Sequence, residues 1–241
     1  MKNIFVTGIS NGLGYNIAKV LLSNKYNVYG IYRKETKQLQ SLKVKYSENL
    51  KTMVFDLSNT VVIKKEIFKE FIPTNIPIHG FVNNAAIAYD DLISNLNMDS
   101  LNEMYNVNVF SPFMIVKEVI RKTLLHKNQC SIIHISSISA HTGYKGLSMY
   151  ASTKGALEAF SKNTAREWGV KGIRSNVVVP GFMETAMSAS LSMEQKEKIY
   201  RRTSLKQATS ITSVAETALF LASEQAHSIT GQSIHVDAGT I

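Results

Sequence analysis

The sequence predicts an α/β fold, a doubly wound sheet of seven parallel strands with helices on both faces. Two observations carry this reading. Short apolar runs alternate with runs of helical period from one end of the chain to the other. Residues 1–241 contain no internal repeat, no low-complexity stretch and no Pro/Gly/Ser linker, and 44% apolar residues suffice for one core. A single domain over 1–241 is therefore expected.

The first strand, Ile4 to Thr7, runs into Thr7-Gly8-Ile9-Ser10-Asn11-Gly12-Leu13-Gly14, and a helix follows from Gly12 to Ser23. Glycines there let the backbone approach a ligand closely, and free N–H groups at the helix start favour a pyrophosphate. The spacing is Gly-x-x-x-Gly-x-Gly rather than the Gly-x-Gly-x-x-Gly dinucleotide fingerprint. A tight connection alone would also use glycine; the position in a first strand-to-helix turn tilts the reading to phosphate.

The second strand, Val28 to Tyr32, ends in Tyr32-Arg33-Lys34. Tyr32 stands where an acidic residue would hold a ribose 2′-hydroxyl, and the two cations suit a 2′-phosphate. NADP (NADPH) is thus the expected cofactor, with NAD less favoured; the plain alternative is a solvated cation pair at a helix start. A helix from Thr36 to Lys45 and a strand from Thr52 to Phe55 come next. Asp56, followed by Leu57, either accepts a bond from an adenine amino group or caps the helix expected over Val61 to Phe71. The fourth strand, Gly80 to Val82, ends in Asn83-Asn84-Ala85-Ala86, small residues at the point where a cofactor would cross. Turn residues satisfying their own backbone would look the same.

In the helix expected from Ser100 to His126, the run Asn106-Val107-Asn108-Val109-Phe110-Ser111-Pro112-Phe113 puts poor helix formers in the interior. A kink or an exposed carbonyl is expected there. The strand Ser131 to Ile135 leads to Ser137, whose hydroxyl could hold a substrate oxygen at the strand's end. Tyr150 and Lys154 lie four apart in a helix reaching Trp168, so both project from one face. An adjacent ammonium favours the phenolate and would lower a phenol pKa from about 10. Taken alone the pair is weak, because a packed ring beside a lysine stem is common. The strand Arg174 to Val179, the helix Val214 to Ser223 and the strand Ser233 to Val236 complete the alternation. Thr185 to Thr203 is helical in pattern without a following strand, and is expected to be a flap. Its Met183, Met187, Leu191 and Met193 offer an apolar lining, and Lys196, Lys198, Arg201 and Arg202 a cationic rim.

Lys and Arg outnumber Asp and Glu by 27 to 18, a formal net charge of +9. The basic residues are spread along the chain and form no recognisable nucleic-acid module, so a surface suited to an anionic cofactor or substrate is the better reading. Cys130 is the only cysteine, which excludes an internal disulfide and a cysteine metal cluster. No metal site is expected. No apolar segment has the length of a signal peptide or membrane span, so a cytoplasmic protein is expected.

Thr7-Gly8-x-x-x-Gly12-x-Gly14, Asn83-Asn84-Ala85-Ala86, Asn108, Ser137 and Tyr150-x-x-x-Lys154, in this order, resemble the short-chain dehydrogenase/reductase family over the whole chain. The runs Arg174 to Thr185 and Ile229 to Gly239 resemble it too, and beta-ketoacyl-acyl-carrier-protein reductases are the most similar branch. The resemblance implies a Rossmann fold and an NADP-dependent reduction of a carbonyl to a secondary alcohol. Tyr150 would be the general acid/base, Ser137 the group bonding the same substrate oxygen, and Lys154 the residue lowering the tyrosine pKa and holding the nicotinamide ribose. Asn108 would place a water linking Lys154 to solvent. Thr185 would bond the nicotinamide carboxamide, with Pro180, Gly181 and Met183 shaping that end. Ala86 departs from the family's glycine, and Asn11 stands where NADP-preferring members often carry a base. An acyl-carrier protein would be met by Lys127 and Lys171 at the entrance. The apolar stripes of the two long helices imply a homotetramer, with a homodimer as the next expectation.

Overall fold

The computed structural model describes residues 1–185 and 191–241. Seven strands are resolved among them: β1 (Asn3–Thr7), β2 (Asn27–Tyr32), β3 (Leu50–Val54), β4 (Gly80–Asn83), β5 (Cys130–Ile135), β6 (Ile173–Pro180) and β7 (Ser233–Val236). They form one sheet in the order β3-β2-β1-β4-β5-β6-β7. Every neighbouring pair is parallel.

A parallel sheet covered on both faces must be apolar on both, and β1 shows this in five consecutive buried residues. Successive side chains point to opposite faces. Ile4 and Val6 join the core beneath α1 (Gly12–Ser23), α2 (Lys37–Lys45) and, near the other end of the chain, α8 (Ile211–Ala222). Phe5 faces the other way, stacking on Phe81 at 5.4 Å and meeting Phe68 edge-on at 5.9 Å. That second core lies beneath α3 (Ile63–Lys65) and its π-helical continuation Glu66–Phe71, and beneath α5 (Ser111–His126) and α6 (Ser148–Trp168).

The irregularity expected in the long central helix takes the form of a π turn. The chain forms α4 (Met98–Tyr105), a π-helical stretch Asn106–Phe110, and then α5, whose second residue is Pro112. A proline in the first turn costs no helical bond, so the wide π turn hands the chain on to a fresh helix start. The helix expected over Val61 to Phe71 is less regular than its pattern, passing from a 3₁₀ turn through one α turn into π-helix. Side-chain caps set other starts. Thr36 accepts from Leu39 N before α2, Asn97 from Ser100 N before α4, and a Ser192/Gln195 capping box opens α7 (Met193–Arg202).

Candidate functional site

The strand order reverses between β1 and β4, and the carboxyl ends of the strands there open into a cleft of about 1350 Å³. From β3 to β6 the strand ends deliver Asp56 and Leu57, Arg33 and Lys34, the Gly8 turn, Asn84 to Ala86, Ser137, and Pro180 with Gly181. Arg33 and Ser137 follow strands three spacings apart, about 14 Å at ~4.8 Å each, within the reach of an extended dinucleotide.

The glycine turn is built for close approach. Gly8 has φ 77°, and a Cβ on Gly14 would stand 2.1 Å from the Gly8 carbonyl oxygen. Ser10, Asn11, Gly12 and Leu13 line the cleft beside them. Thr7 does not: it is fully buried, and its Oγ1 accepts from Asn84 N and Ala85 N, each at 3.0 Å. The Asn84 amide returns the tie by donating to the Thr7 carbonyl at 3.0 Å. Thr7 is therefore a strut between β1 and the end of β4, not a ligand-facing group as expected of it.

Arg33 and Lys34 are exposed at the cleft wall. Asp56 lines the cleft and accepts from Ser58 N at 2.9 Å, a local turn contact; it does not cap the helical stretch that follows, which has Asn59 at its N-cap. That bond, with a smaller contribution from Arg33, holds its carboxyl below the usual range.

Ser137, Tyr150 and Lys154 line one and the same cleft. Ser137 caps the 3₁₀ turn Ile138–Ala140, its hydroxyl accepting from Ser139 N. Lys154 Nζ donates to the Ile135 carbonyl at 2.8 Å and lies 5.6 Å from the centre of the Tyr150 ring. Burial pushes the lysine down to about 8. The tyrosine moves opposite to expectation. Burial raises its pKa and the Asp90 carboxylate raises it further, because desolvating a phenolate outweighs an ammonium committed to a carbonyl.

Asn108 is brought close but not into the lining. Its Oδ1 accepts from Ile87 N at 2.9 Å, and its Nδ2 donates to Ile87 O at 2.8 Å and Thr153 Oγ1 at 3.1 Å. Both amide hydrogens are thereby taken, and only a second lone pair on Oδ1 is left to meet a water. Met183 and Thr185 line the cleft as expected, as do Leu191 and Arg202 of the flap. Met193 is 67% exposed and off the lining. Lys198 and Arg201 pair with Glu194 and Glu197 one turn back, and Lys196 sits 3.9 Å from Glu184; Arg202 alone of the expected rim reaches the cleft. Met187 lies outside the described residues.

Lys127 and Lys171 are misplaced in the sequence reading. Each ends a helical segment just before a strand begins, at Cys130 and Ile173, so both stand at the end of the sheet opposite the cleft. Asp90, Tyr144 and Lys145 line the cleft without having been singled out. They sit on loops, and no spacing in the sequence betrays which loops meet. Among the described residues no cluster could hold a metal ion, and no helix is long and apolar enough to cross a membrane.

A sequence profile described as Enoyl-(Acyl carrier protein) reductase matches residues 8–240. The 3-oxoacyl-(acyl-carrier-protein) reductase FabG of Buchnera aphidicola subsp. Baizongia pistaciae is 35% identical, over 99% of this chain and 96% of that protein. FabG of Escherichia coli (strain K12) is 33% identical, again over 99% and 96%. Among solved structures, ElxO with NADP bound superposes with a TM-score of 0.89 at 26% identity, covering 99% of this chain and 98% of that one. A 4-hydroxyisoleucine dehydrogenase complexed with NADH gives 0.93 at 25%, covering 100% and 98%. With its strand order, its glycine turn and a full-length match to these proteins, the chain belongs to the short-chain dehydrogenase/reductase family of oxidoreductases.

Proposed function

We propose that the protein is an NADPH-dependent reductase that converts a 3-oxoacyl thioester to the 3-hydroxyacyl thioester in the cytoplasm. The observation that carries this is the meeting of Ser137, Tyr150 and Lys154 in one cleft whose other end holds the glycine turn and the Arg33-Lys34 cations. The cradle fits a dinucleotide: Gly14, where a Cβ would stand 2.1 Å from the Gly8 carbonyl oxygen, lets the turn close tightly beside the cleft, and two exposed cations stand where a 2′-phosphate would lie. Gly8 to Gly14 would hold the pyrophosphate, Asp56 and Leu57 the adenine, Asn84 to Ala86 the crossing, and Pro180 to Thr185 the nicotinamide. When bound, that group supplies the hydride.

The protein's own part is the proton and the oxygen. Burial keeps the Tyr150 phenol protonated at neutral pH, so it is ready to give its proton to the carbonyl oxygen as negative charge develops there; an alkoxide is a stronger base than the phenolate left behind. The Ser137 hydroxyl donates to the same oxygen. Lys154 holds the ribose hydroxyls and places a positive charge behind the ring. The described part of the flap, 191–203, stands at the substrate end, with Met183, Leu191 and Arg202 facing substrate. An acyl-carrier protein is the partner this substrate class brings. The assembly we expect is a homotetramer through α4, α5 and α6, with a homodimer as its simpler form.

Consumption of NADPH followed at 340 nm with acetoacetyl thioester, crotonyl thioester and a panel of ketones tests this. Turnover of acetoacetyl thioester with NADPH preferred over NADH is expected. Turnover of crotonyl thioester alone would mean reduction of a C=C bond and overturn the carbonyl chemistry. Turnover of another ketone alone would keep the chemistry and overturn the substrate.

A further inference from the structure

Glu158 is a buried carboxylate outside the groups assigned above. It is 8% exposed, on α6 one turn beyond Lys154. Ser136 Oγ donates to its Oε1 at 2.6 Å, and His141 Nε2 lies 3.0 Å from the same oxygen. Ser136 and His141 bracket the short loop that contains Ser137 and the 3₁₀ turn Ile138–Ala140. One oxygen on α6 thus takes both ends of that loop. The ring of His235, from β7, packs against His141 with centroids 4.8 Å apart, closing the far side.

This arrangement matters because Ser137 and Tyr150 come from different elements. Ser137 follows β5; Tyr150 and Lys154 ride on α6. Their relative placement depends on what ties loop to helix. Lys154 Nζ on the Ile135 carbonyl fixes the strand's last residue, and Ser136 also lies 3.4 Å from the Lys154 carbonyl. Neither contact reaches past Ser137. Past Ser137 the 3₁₀ turn packs against α6, and the bond from His141 to Glu158 is the described side-chain hydrogen bond that pins the loop's far end to that helix. We infer that Glu158 is a positioning residue that sets Ser137 against Tyr150 by clamping both flanks of the 136–141 loop to α6. The inference rests on the carbonyl-reductase reading for its catalytic consequence, though not for the clamp.

Substitutions at Glu158, alone and in a Ser137→Ala background, test it by kinetics and by hydrogen exchange. In Glu158→Leu the clamp is gone, whereas Glu158→Gln keeps an oxygen able to accept both bonds. The Leu variant should lose about 10- to 100-fold in kcat, a loss typical of a small misplacement, with NADPH affinity within about twofold. The Gln variant should recover most of that loss. In a Ser137→Ala background, Glu158→Leu should cost nothing further in kcat, since it acts through Ser137. An equal loss in that background, or unchanged kcat in a folded Leu variant, overturns the inference. Hydrogen exchange separates the clamp from the chemistry. The Ala140 and His141 amides, bonded to the Ser137 and Ile138 carbonyls at 3.0 and 2.9 Å, should exchange at least about tenfold faster in the Leu variant and at the parent rate in the Gln variant. Faster exchange in a protein that turns over no carbonyl would uphold the clamp and overturn only the reductase reading; unchanged exchange overturns the clamp itself.

Discussion

At the scale of single residues, Tyr150 and Lys154 show how burial governs acid–base chemistry. Burial raises the tyrosine pKa, with Asp90 adding to it, and lowers the lysine to about 8. Tyr150→Phe should cut kcat by on the order of 10²–10⁴-fold while leaving NADPH affinity, read by fluorescence titration, nearly unchanged; full activity in the mutant would remove the proposed proton donor. Lys154 also makes stability depend on pH. Its folded pKa of about 8 lies below the ordinary value of 10.5, so the unfolded chain binds more protons between these two values. The stability contribution of Lys154 must therefore rise with pH from about 8 towards 10.5, by an amount on the order of a few kcal/mol in all. Buried Cys130, pushed up to about 12, acts in the opposite sense above its ordinary 9.0. Urea unfolding of the parent and of Lys154→Met from pH 7 to 10 isolates the lysine. The difference should grow in the parent's favour, and a flat difference would contradict the shift.

At the scale of elements, the first strand-to-helix turn and the end of β2 are the parts a cofactor would test. A Cβ at Gly14 meets the Gly8 carbonyl oxygen at 2.1 Å, and backbone cannot swing aside as a side chain can. Gly14→Val should lower NADPH affinity by more than about tenfold with circular dichroism retained, because the turn must open to accept it and its N–H groups lose their aim. Undiminished affinity in a folded variant would refute the placement. Arg33 carries the expected choice of cofactor. Arg33→Ala should weaken NADPH by about tenfold, the loss of one exposed charge-assisted contact, and leave NADH alone. Equal weakening of both would take the 2′-phosphate away from this residue.

At the scale of the whole molecule, the central π turn shapes the outer surface as well as the cleft. The π turn at Asn106–Phe110 points the Asn108 amide inward at Ile87 and leaves Phe110 47% exposed, its ring 6.1 Å from that of Tyr105. Phe113 and Phe160 stack at 3.9 Å across α5 and α6, binding these two helices into one face. Exposed aromatic surface on such a face favours association. Light scattering should give the mass of four chains, and Phe110→Glu should shift it to a smaller species. A parent monomer at micromolar concentration would refute the proposed assembly.

The alternation of apolar and helical runs determined the seven strands and their helices, because burial on both faces of a parallel sheet writes itself into local composition. The motif spacings likewise placed the glycine turn, Ser137, Tyr150 and Lys154 at strand ends and on one helix face. Tertiary structure decided the rest. It turned Thr7 and Asn108 inward as struts, moved Lys127 and Lys171 to the wrong end of the sheet, and spent three of the flap's four cations on carboxylates. It also gave Tyr150 its raised pKa and joined Ser136 and His141 on Glu158. Periodicity reports which way a side chain faces within its own element. Which partner it finds, and how much water that partner removes, depends on residues far away in the chain.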